Sequence, residues 1–188
     1  SMRIMMAIIK ENPWMHSKVL VTGATGFLGS NFLQKLQSYQ CEVKGVQHVA
    51  KPQVVRDEIH YLKADLTKPD ECLKVTQDQQ IVIHCAANTA GASVMQQNPI
   101  SLVTTNNLMN NHMLEAAGKN GVKHFVFLSS SAVYPEVDHV LTEEEGFKGE
   151  PHPAYQGVGW MKRYGEQQAK FFGQCPNFVL GFEFTNRK

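Results

Sequence analysis

Short apolar, β-branched runs alternate along the chain with longer stretches in which apolar residues recur at helical spacing. Each short run has the length and composition of a buried parallel strand. Six such runs predict strands over 19–22, 42–46, 59–62, 81–85, 124–128 and 178–180. Helical spacing predicts helices over 30–36, 102–119 and 155–172. The alternation indicates an α/β fold, a parallel sheet with helices on both faces.

The first predicted strand runs directly into a glycine-rich turn that opens a helix. Gly23 permits a tight turn, Gly26 lets the backbone approach a pyrophosphate, and Gly29 lets the helix pack against the strand. The helix N-terminus adds unpaired N–H groups and partial positive charge, which favour phosphate. Strand, spacing and helix together predict a doubly wound Rossmann domain that binds NAD or NADP. Its ligand crevice should lie at the carboxyl ends of the strands.

The amino-acid composition indicates which kinds of binding partner are not expected. The chain is 43% hydrophobic and 19% charged, with a formal net charge of +1. This balance is ordinary for a globular protein and favours neither nucleic acid nor an anionic membrane as a partner. No apolar run approaches the ~20 residues of a membrane helix. The four cysteines are Cys41, Cys72, Cys85 and Cys175. Their spacing is not that of metal ligands, so we expect no metal site. We expect their thiols to be reduced, as in a cytoplasmic protein.

The beginning of the chain differs from the rest. Residues 1–17 are predicted to form an N-terminal extension, and residues 18–188 the NAD(P)-binding domain. The apolar stretch over 4–9 is too short for a signal peptide and suits a short amphipathic turn. Pro13 and Trp14 are candidates for packing this extension on the domain.

Several segments resemble one known family. The turn over 22–29 is similar to the opening of the extended short-chain dehydrogenase/reductases, in particular the NAD-dependent epimerase/dehydratase family that acts on nucleotide sugars. Segments 64–66, 84–87, 105–117 and 127–134 resemble the family in the same order. The resemblance covers about residues 18 to 186.

The resemblance implies a set of cofactor-binding residues. Asp65 would contact the adenine, although a helix cap or turn residue is an alternative role for it. His84 ends an apolar strand and is assigned no catalytic role. The implied set comprises Gly23, Thr25, Gly26, Phe27, Leu28, Gly29, Asp65, Leu66, Cys85, Ala86, Ala87, Asn106, Ser129 and Lys162.

The resemblance also implies an acid–base group. The family's catalytic serine lies four residues before the tyrosine of a Val-Tyr pair, which corresponds to Ser130. A tyrosine and a lysine four residues later share a helix face in the family, and the lysine charge lowers the tyrosine pKa. Lys162 fits the lysine that holds the cofactor ribose. Tyr155 is the candidate for proton exchange with a sugar hydroxyl during hydride transfer.

Two departures from the family pattern affect this expectation. Tyr155 lies seven residues before Lys162, and Val158, which has no acid–base chemistry, stands at the usual tyrosine position.

The second departure lies at the end of the second strand, where an acidic residue ~20 positions beyond the glycines would hold the ribose of NAD. Gln47 and His48 stand there instead. Lys51 and Arg56 follow and could bind a 2′-phosphate, which slightly favours NADP as the expected cofactor.

The implied function is an NAD(P)-dependent epimerase/dehydratase-type oxidoreductase acting on a nucleotide sugar. The alternatives are a non-catalytic dinucleotide-binding module, favoured by Val158, and a reductase of a non-sugar carbonyl. Members of the family are much longer than 188 residues, so most of the C-terminal substrate-binding part is expected to be absent. A homodimer through the helices at 102–119 and 155–172 is a further expectation. Apolar residues for its interface are Met109, Met113, Trp160 and Met161, for which a place in the ordinary core is the alternative.

Overall fold

Six parallel strands form one sheet in the order β3-β2-β1-β4-β5-β6. The computed structural model describes residues 14–52, 54–89, 99–173 and 179–183. The strands are β1 Lys18–Thr22, β2 Glu42–Gln47, β3 Ile59–Lys63, β4 Ile81–His84, β5 His124–Leu128 and β6 Val179–Glu183. The helices are α1 Phe27–Leu36, α2 Pro69–Thr76, α3 Pro99–Lys119 and α4 Gln156–Gly173. Short 3₁₀ turns lie at Gln37–Tyr39, Ser131–Val133, Glu143–Phe147 and Pro153–Tyr155. The predicted doubly wound parallel α/β fold is confirmed.

The strand order reverses at β1. The chain moves outward from β1 through β2 to β3, and then returns to the other side of β1 as β4. The last residues of these central strands are in register, with Thr22 opposite His84. Parallel sheets bind ligands at such a reversal, beyond the carboxyl ends of the strands. The topology therefore places the candidate crevice above β1 and β4.

Both faces of the sheet are covered, which explains why the central strands are apolar throughout. Leu20 and Val82 belong to one core cluster, which includes Met113 and Leu114 of α3. The alternate residues of β1 and β4 point to the opposite face, where a second cluster includes Leu33 of α1. Strand alternation thus divides one continuous apolar run between two layers of helices.

Helix α4 lies close to the sheet because of a glycine. A Cβ atom on Gly165 would come within 2.5 Å of the Phe127 ring of β5. Only a glycine at this position lets the helix backbone approach the ring. Met161 on the same helix and Met113 of α3 are buried at 3% and 0% exposure. Of the two roles left open for these methionines, the structure supports the core and not a dimer surface.

The described end of the predicted extension packs on the domain. Trp14 is buried within the same core cluster as Leu33. Its carbonyl oxygen accepts hydrogen bonds from the backbone N–H of Ser17 and from the Cys41 thiol, at 3.1 and 3.0 Å. The amphipathic turn and Pro13 lie outside the described residues. The division of the chain at residue 17 stays a prediction.

Candidate functional site

The glycine turn between β1 and α1 has the geometry that its residues predict. Gly23 adopts a positive φ of 61°. The backbone N–H of Ala24 donates to the carbonyl of Val46 at 3.0 Å, which ties the turn to the end of β2. Gly26 is the N-cap of α1, and no side chain caps this helix. The partial positive charge of the helix N-terminus therefore faces the turn without a competing side-chain acceptor.

A cavity of about 500 Å³ opens beside this turn, at the carboxyl edge of the sheet. Its size lies within the usual range of small-molecule sites. Its walls come from the glycine turn, from the ends of β2, β3 and β4, and from α3. Eight residues of the predicted cofactor set line it: Gly23, Thr25, Gly26, Asp65, Leu66, Cys85, Ala86 and Ala87.

The cavity wall also contains residues outside the predicted cofactor set. Residues 46–50, which include the Gln47 and His48 noted above, form the end of β2 and the segment after it, and Thr105 and Met109 reach the cavity from α3. Ala64, Thr67 and Asn88 complete the wall. Several of these residues could be identified from their position in the sequence, because the residues that follow parallel strands lie at one edge of the sheet.

Asn106 supports the cavity from behind. Its side-chain oxygen accepts from the backbone N–H of Asn88 at 2.7 Å, and its amide group donates to the carbonyl of Asn88 at 2.9 Å. The side chain is only 6% exposed. We therefore assign Asn106 to positioning the segment after β4, whereas its neighbour Thr105 lines the cavity.

His84 also has a supporting position. The backbone N–H of Ala86 donates to the Thr22 hydroxyl at 3.0 Å, and that hydroxyl lies 2.8 Å from Nδ1 of His84. On the other side of the ring, Nε2 lies 3.1 Å from Oδ1 of Asn110, which can only accept. Burial lowers the pKa of His84 to about 4. A neutral imidazole therefore joins the ends of β1 and β4 to α3.

Asp65 is a turn residue that also lines the cavity, and its contact with the adenine stays a prediction. It lines the cavity, and its carboxylate accepts from the backbone N–H and the hydroxyl of Thr67, at 3.0 and 2.6 Å. These two hydrogen bonds are the main reason that the pKa of Asp65 lies below its usual value. The carboxylate thus holds the turn in the cavity wall, and its second oxygen pairs with the ammonium of Lys68 at 3.7 Å.

A second group of polar side chains lies at the carboxyl end of β5. The ammonium of Lys162 donates to the carbonyl of Leu128 at 2.7 Å and lies 5.0 Å from the centroid of the Phe127 ring. The hydroxyl of Ser129 donates to Glu166 one turn further along α4. Burial raises the pKa of Glu166. Neither Ser129 nor Lys162 is part of the cavity wall beside the glycine turn. The structure brings Ser129, Lys162 and Glu166 together, and Glu166 also fits the glutamate that follows the lysine in the family resemblance.

The other two candidate catalytic residues have different surroundings. Ser130 is half-buried and accepts from the backbone N–H of Ala132 at 3.2 Å. Tyr155 lies in the turn before α4, is 43% exposed and packs its ring 5.6 Å from His152. Val158 is half-buried and lies one helical turn before Lys162. The helix therefore presents Val158, and not Tyr155, on the face next to Lys162.

Arg163 joins α4 to the segment that follows β5. Its guanidinium donates to three backbone carbonyls, those of Val133 at 2.9 Å, Gly149 at 2.6 Å and Lys148 at 3.4 Å. The same group lies 5.0 Å from the Trp160 ring and 5.9 Å from the Phe147 ring. Sequence analysis missed this residue, because a charged side chain in a polar segment gives no signal of burial.

Arg56 lies away from the cofactor cavity. It lines a separate cavity of about 360 Å³ together with Gln37, Cys41 and Glu58. These residues surround the amino ends of β2 and β3, opposite to the glycine turn. Lys51 is exposed and is not part of the wall of the larger cavity. The basic residues that suggested a 2′-phosphate therefore lie outside the wall that would contact it.

The environment of Lys162 leads to a pH-dependent stability. Burial lowers the pKa of Lys162 from 10.5 to about 8, although Glu166 and Cys85 act in the opposite direction. The unfolded chain binds this proton more strongly, so the lysine contributes more favourably to folding as the pH rises from about 8 to about 10.5. The free energy of unfolding should rise across this range by about 2 to 3 kcal/mol more in the wild type than in Lys162→Met.

Denaturant unfolding of both proteins at several pH values measures this difference. Comparison with the variant removes the contributions of other titrating groups, such as Cys72, whose pKa burial raises to about 12. A difference that stays constant from pH 8 to 10.5 contradicts the proposed environment of Lys162.

The fold and the glycine-turn cavity define a dinucleotide-binding type of domain, and the sequence comparison gives its family. Residues 19–178 match the NAD dependent epimerase/dehydratase family. The chain belongs to this family.

Three similar proteins illustrate the relationship. GDP-mannose 3,5-epimerase 1 of Oryza sativa subsp. indica is 33% identical over 158 residues, which are 78% of this chain and 41% of that protein. The structure of MoeE5 in complex with UDP-glucose and NAD superimposes with a TM-score of 0.72 at 26% identity, covering 89% of this chain and 52% of that one. UDP-glucose 4-epimerase of Thermus thermophilus in complex with NAD gives a TM-score of 0.73 at 26% identity, covering 88% and 53%. The chain thus spans about half the length of these proteins or somewhat less.

Proposed function

We propose that this chain is the dinucleotide-binding half of an NAD- or NADP-dependent enzyme that acts on a nucleotide-linked sugar. The observation that carries the proposal is the glycine turn, which opens with a helix N-terminus onto a cavity of about 500 Å³. The relatives support the substrate class, since one is named for GDP-mannose and another is a complex with UDP-glucose and NAD.

The residues present fit a dinucleotide. The steric environment of Gly26 is the most informative, because a Cβ atom there would meet only the Gly23 carbonyl oxygen, at 3.3 Å. Packing therefore constrains this position far less than it constrains Gly29, whereas close approach of a pyrophosphate to the backbone requires a glycine. A bound dinucleotide supplies the hydride acceptor or donor. The chain supplies the backbone at Gly26 for the pyrophosphate, with Gly23 for the tight turn and Gly29 for the packing of α1, and Asp65 for the adenine.

For the reaction itself, we assign three side chains. Ser130 polarises the oxygen of the substrate, since its hydroxyl lies at the open end of β5. Lys162 holds the cofactor ribose, and the nearby carboxylate of Glu166 keeps the charge of its ammonium favourable. Tyr155 exchanges the proton with the sugar hydroxyl. We place most contacts with the nucleotide sugar outside this chain, in the part of the relatives that it does not span.

A specific observation favours a second candidate, a dinucleotide-binding module without turnover. Val158 occupies the position one turn before Lys162, where the family's acid–base tyrosine belongs. Tyr155, the alternative acid, packs on His152 at the surface. In this second function the bound dinucleotide regulates the domain or a partner.

We also propose a cytoplasmic homodimer. The exposed apolar side chains of α3 and α4 provide a surface for pairing, at Leu108, Trp160, Tyr164 and Phe171. None of the four described helices is long and apolar enough to cross a membrane. Cys41, Cys72 and Cys85 are free thiols, which suits a reducing compartment.

Thermal-shift titration of this chain with NAD⁺, NADH, NADP⁺ and NADPH tests the dinucleotide function. A ligand that binds only the native state stabilises it by about 2.7 kcal/mol at 100 times its Kd. We therefore expect a saturable rise in Tm with at least one of the four. Gly26→Asp should abolish the rise, because its carboxylate would repel the pyrophosphate at the helix N-terminus. A folded wild-type chain that shows no shift with any of them contradicts the proposal.

A further inference from the structure

We propose that Tyr61 is a positioning residue for the dinucleotide cavity, because its hydroxyl holds the connection between β2 and β3 where that connection forms part of the cavity wall. The inference rests on the proposed dinucleotide function. It goes beyond that function, since Tyr61 is not among the described residues of the wall and acts on the cavity through the connection.

The connection between β2 and β3 takes part in both cavities. Its first residues, 48–50, line the cavity beside the glycine turn. Further along, Arg56 and Glu58 line the smaller cavity at the amino ends of the strands. The connection therefore crosses from one edge of the sheet to the other, and its described residues, 48–52 and 54–58, form neither helix nor strand. Such a segment depends on a few contacts for its position.

Tyr61 supplies a contact near the middle of this connection. Its phenolic hydroxyl donates to the carbonyl of Val54 at 2.5 Å. Val54 and Tyr61 both pack against the core cluster that contains Leu33. One residue of the connection is thus held to the sheet twice, by its carbonyl oxygen and by its apolar contact with the core.

The sheet makes room for the ring that carries this hydroxyl. Gly45 of β2 is the cross-strand neighbour of Tyr61. A Cβ atom on Gly45 would come within 2.9 Å of the Tyr61 ring and 3.0 Å of the Cβ atom of Ala24. The ring therefore occupies the space that a side chain on β2 would take, next to the glycine turn. A larger residue at position 45 would displace the ring, and with it the hydroxyl that holds Val54.

This hydrogen bond affects the cavity at a distance. A dinucleotide that contacts residues 48–50 needs the connection in its held position. Its apparent affinity therefore falls as the fraction of molecules with a released connection rises. Loss of one hydrogen bond of ordinary strength shifts the equilibrium between held and released forms by about two- to tenfold.

Tyr61→Phe tests the proposal, because it keeps the ring and removes only the hydroxyl. Limited digestion of the native chain with trypsin measures release of the connection, since Arg56 is exposed and is followed by Asp57. We expect cleavage after Arg56 to be about two- to tenfold faster in the variant. Cleavage after Lys148, an exposed residue of another surface segment, should keep its rate and is the internal control.

Calorimetric titration of the same two proteins measures the effect on the cavity. The probe is the one of NAD⁺, NADH, NADP⁺ and NADPH that stabilises the wild-type chain most. We expect Tyr61→Phe to bind it about two- to fivefold more weakly. A purely structural role would lower the urea midpoint of unfolding and leave this affinity unchanged. Tyr39→Phe is the matched control, because Tyr39 is not among the described wall residues of either cavity.

Each outcome decides the role of Tyr61. Unchanged cleavage after Arg56 in Tyr61→Phe overturns the proposal, and so does faster cleavage with unchanged dinucleotide affinity. A folded wild-type chain that binds none of the four dinucleotides shows that the proposed function itself is wrong, whatever the cleavage rates, and the positioning role falls with it. If Tyr61→Phe does not fold, the wild type still gives the answer. A saturating dinucleotide should then slow cleavage after Arg56, and an unchanged rate overturns the proposal.

Discussion

Replacing Gly29 by alanine is expected to destabilise the domain by more than about 3 kcal/mol. A Cβ atom at this position would overlap the carbonyl oxygen of Gly23 and lie 2.7 Å from its carbonyl carbon. Both atoms belong to the backbone, so no side-chain rotation relieves the contact. Helix α1 would have to move away from β1, which would open the core around Leu33. Urea unfolding followed by circular dichroism measures the loss.

Gly26→Ala is the matched control in the same turn. Its Cβ atom would come no closer than 3.3 Å to the Gly23 carbonyl oxygen. We expect a stability change within about 1 kcal/mol of zero, since the backbone at this N-cap is extended and suits any residue. Equal losses in the two variants would show that close packing of helix on strand does not distinguish the glycines. The comparison also separates the glycine that the fold requires from the one that only a ligand explains.

Replacing Tyr155 by phenylalanine is expected to lower kcat by about 10²- to 10⁴-fold if this residue transfers the proton. The loss should appear in kcat, with dinucleotide affinity unchanged, because the phenol reaches the substrate and not the glycine turn. The measurement is steady-state conversion of a nucleotide sugar, followed by chromatographic separation of substrate and product, because a reaction that returns the hydride to the sugar leaves no net change in the cofactor. Tyr164→Phe serves as control, since Tyr164 is another exposed tyrosine near the same end of the chain and lies within α4.

The outcome also decides between the two candidate functions. A Tyr155→Phe variant with full turnover would remove Tyr155 from the mechanism. A longer protein that joins this chain to a substrate-binding part like that of the relatives, binds dinucleotide and still converts no nucleotide sugar favours the module without turnover. In that case Val158→Tyr, which places a phenol one turn before Lys162, is the variant in which activity should first appear.

The strands and their parallel order could be predicted because they depend on local, periodic information. β1 and β4 are buried on both faces, and such strands appear in the sequence as continuous apolar runs. Helix α2 was missed for the converse reason. It buries only Cys72, Val75 and Thr76, and its remaining residues are mostly polar or charged. A helix that covers little core gives too few apolar positions for its period to be recognised.

Residues of the candidate site could be predicted where they lie at or directly after the end of a strand. Gly23, Asp65 and Ala86 line the cavity for this reason. Residues of α3 were not predictable, because successive helical positions differ by about 100° in direction. The structure places Thr105 in the cavity wall, and the predicted contact of Asn106 with the cofactor stays a prediction. The orientation of the helix about its own axis depends on packing.

The loop between β2 and β3 shows a related limit. Arg56 follows the end of β2 closely in sequence, but by that point the chain has returned to the amino ends of the strands. Sequence distance from a strand end does not reveal when a loop has crossed to the other edge. A prediction of cofactor preference from nearby charges depends on this crossing.

The hydrogen bonds of Arg163 have a mechanical consequence. Lys162 and Arg163 are neighbours on α4, so the side chain next to the proposed ribose lysine is fastened to carbonyls that follow Ser130 in the chain. The ammonium and the serine hydroxyl therefore belong to one rigid body, and a tilt of the helix displaces both in concert. Adjustment between these two groups and the dinucleotide must then come from movement of the dinucleotide or of the glycine turn.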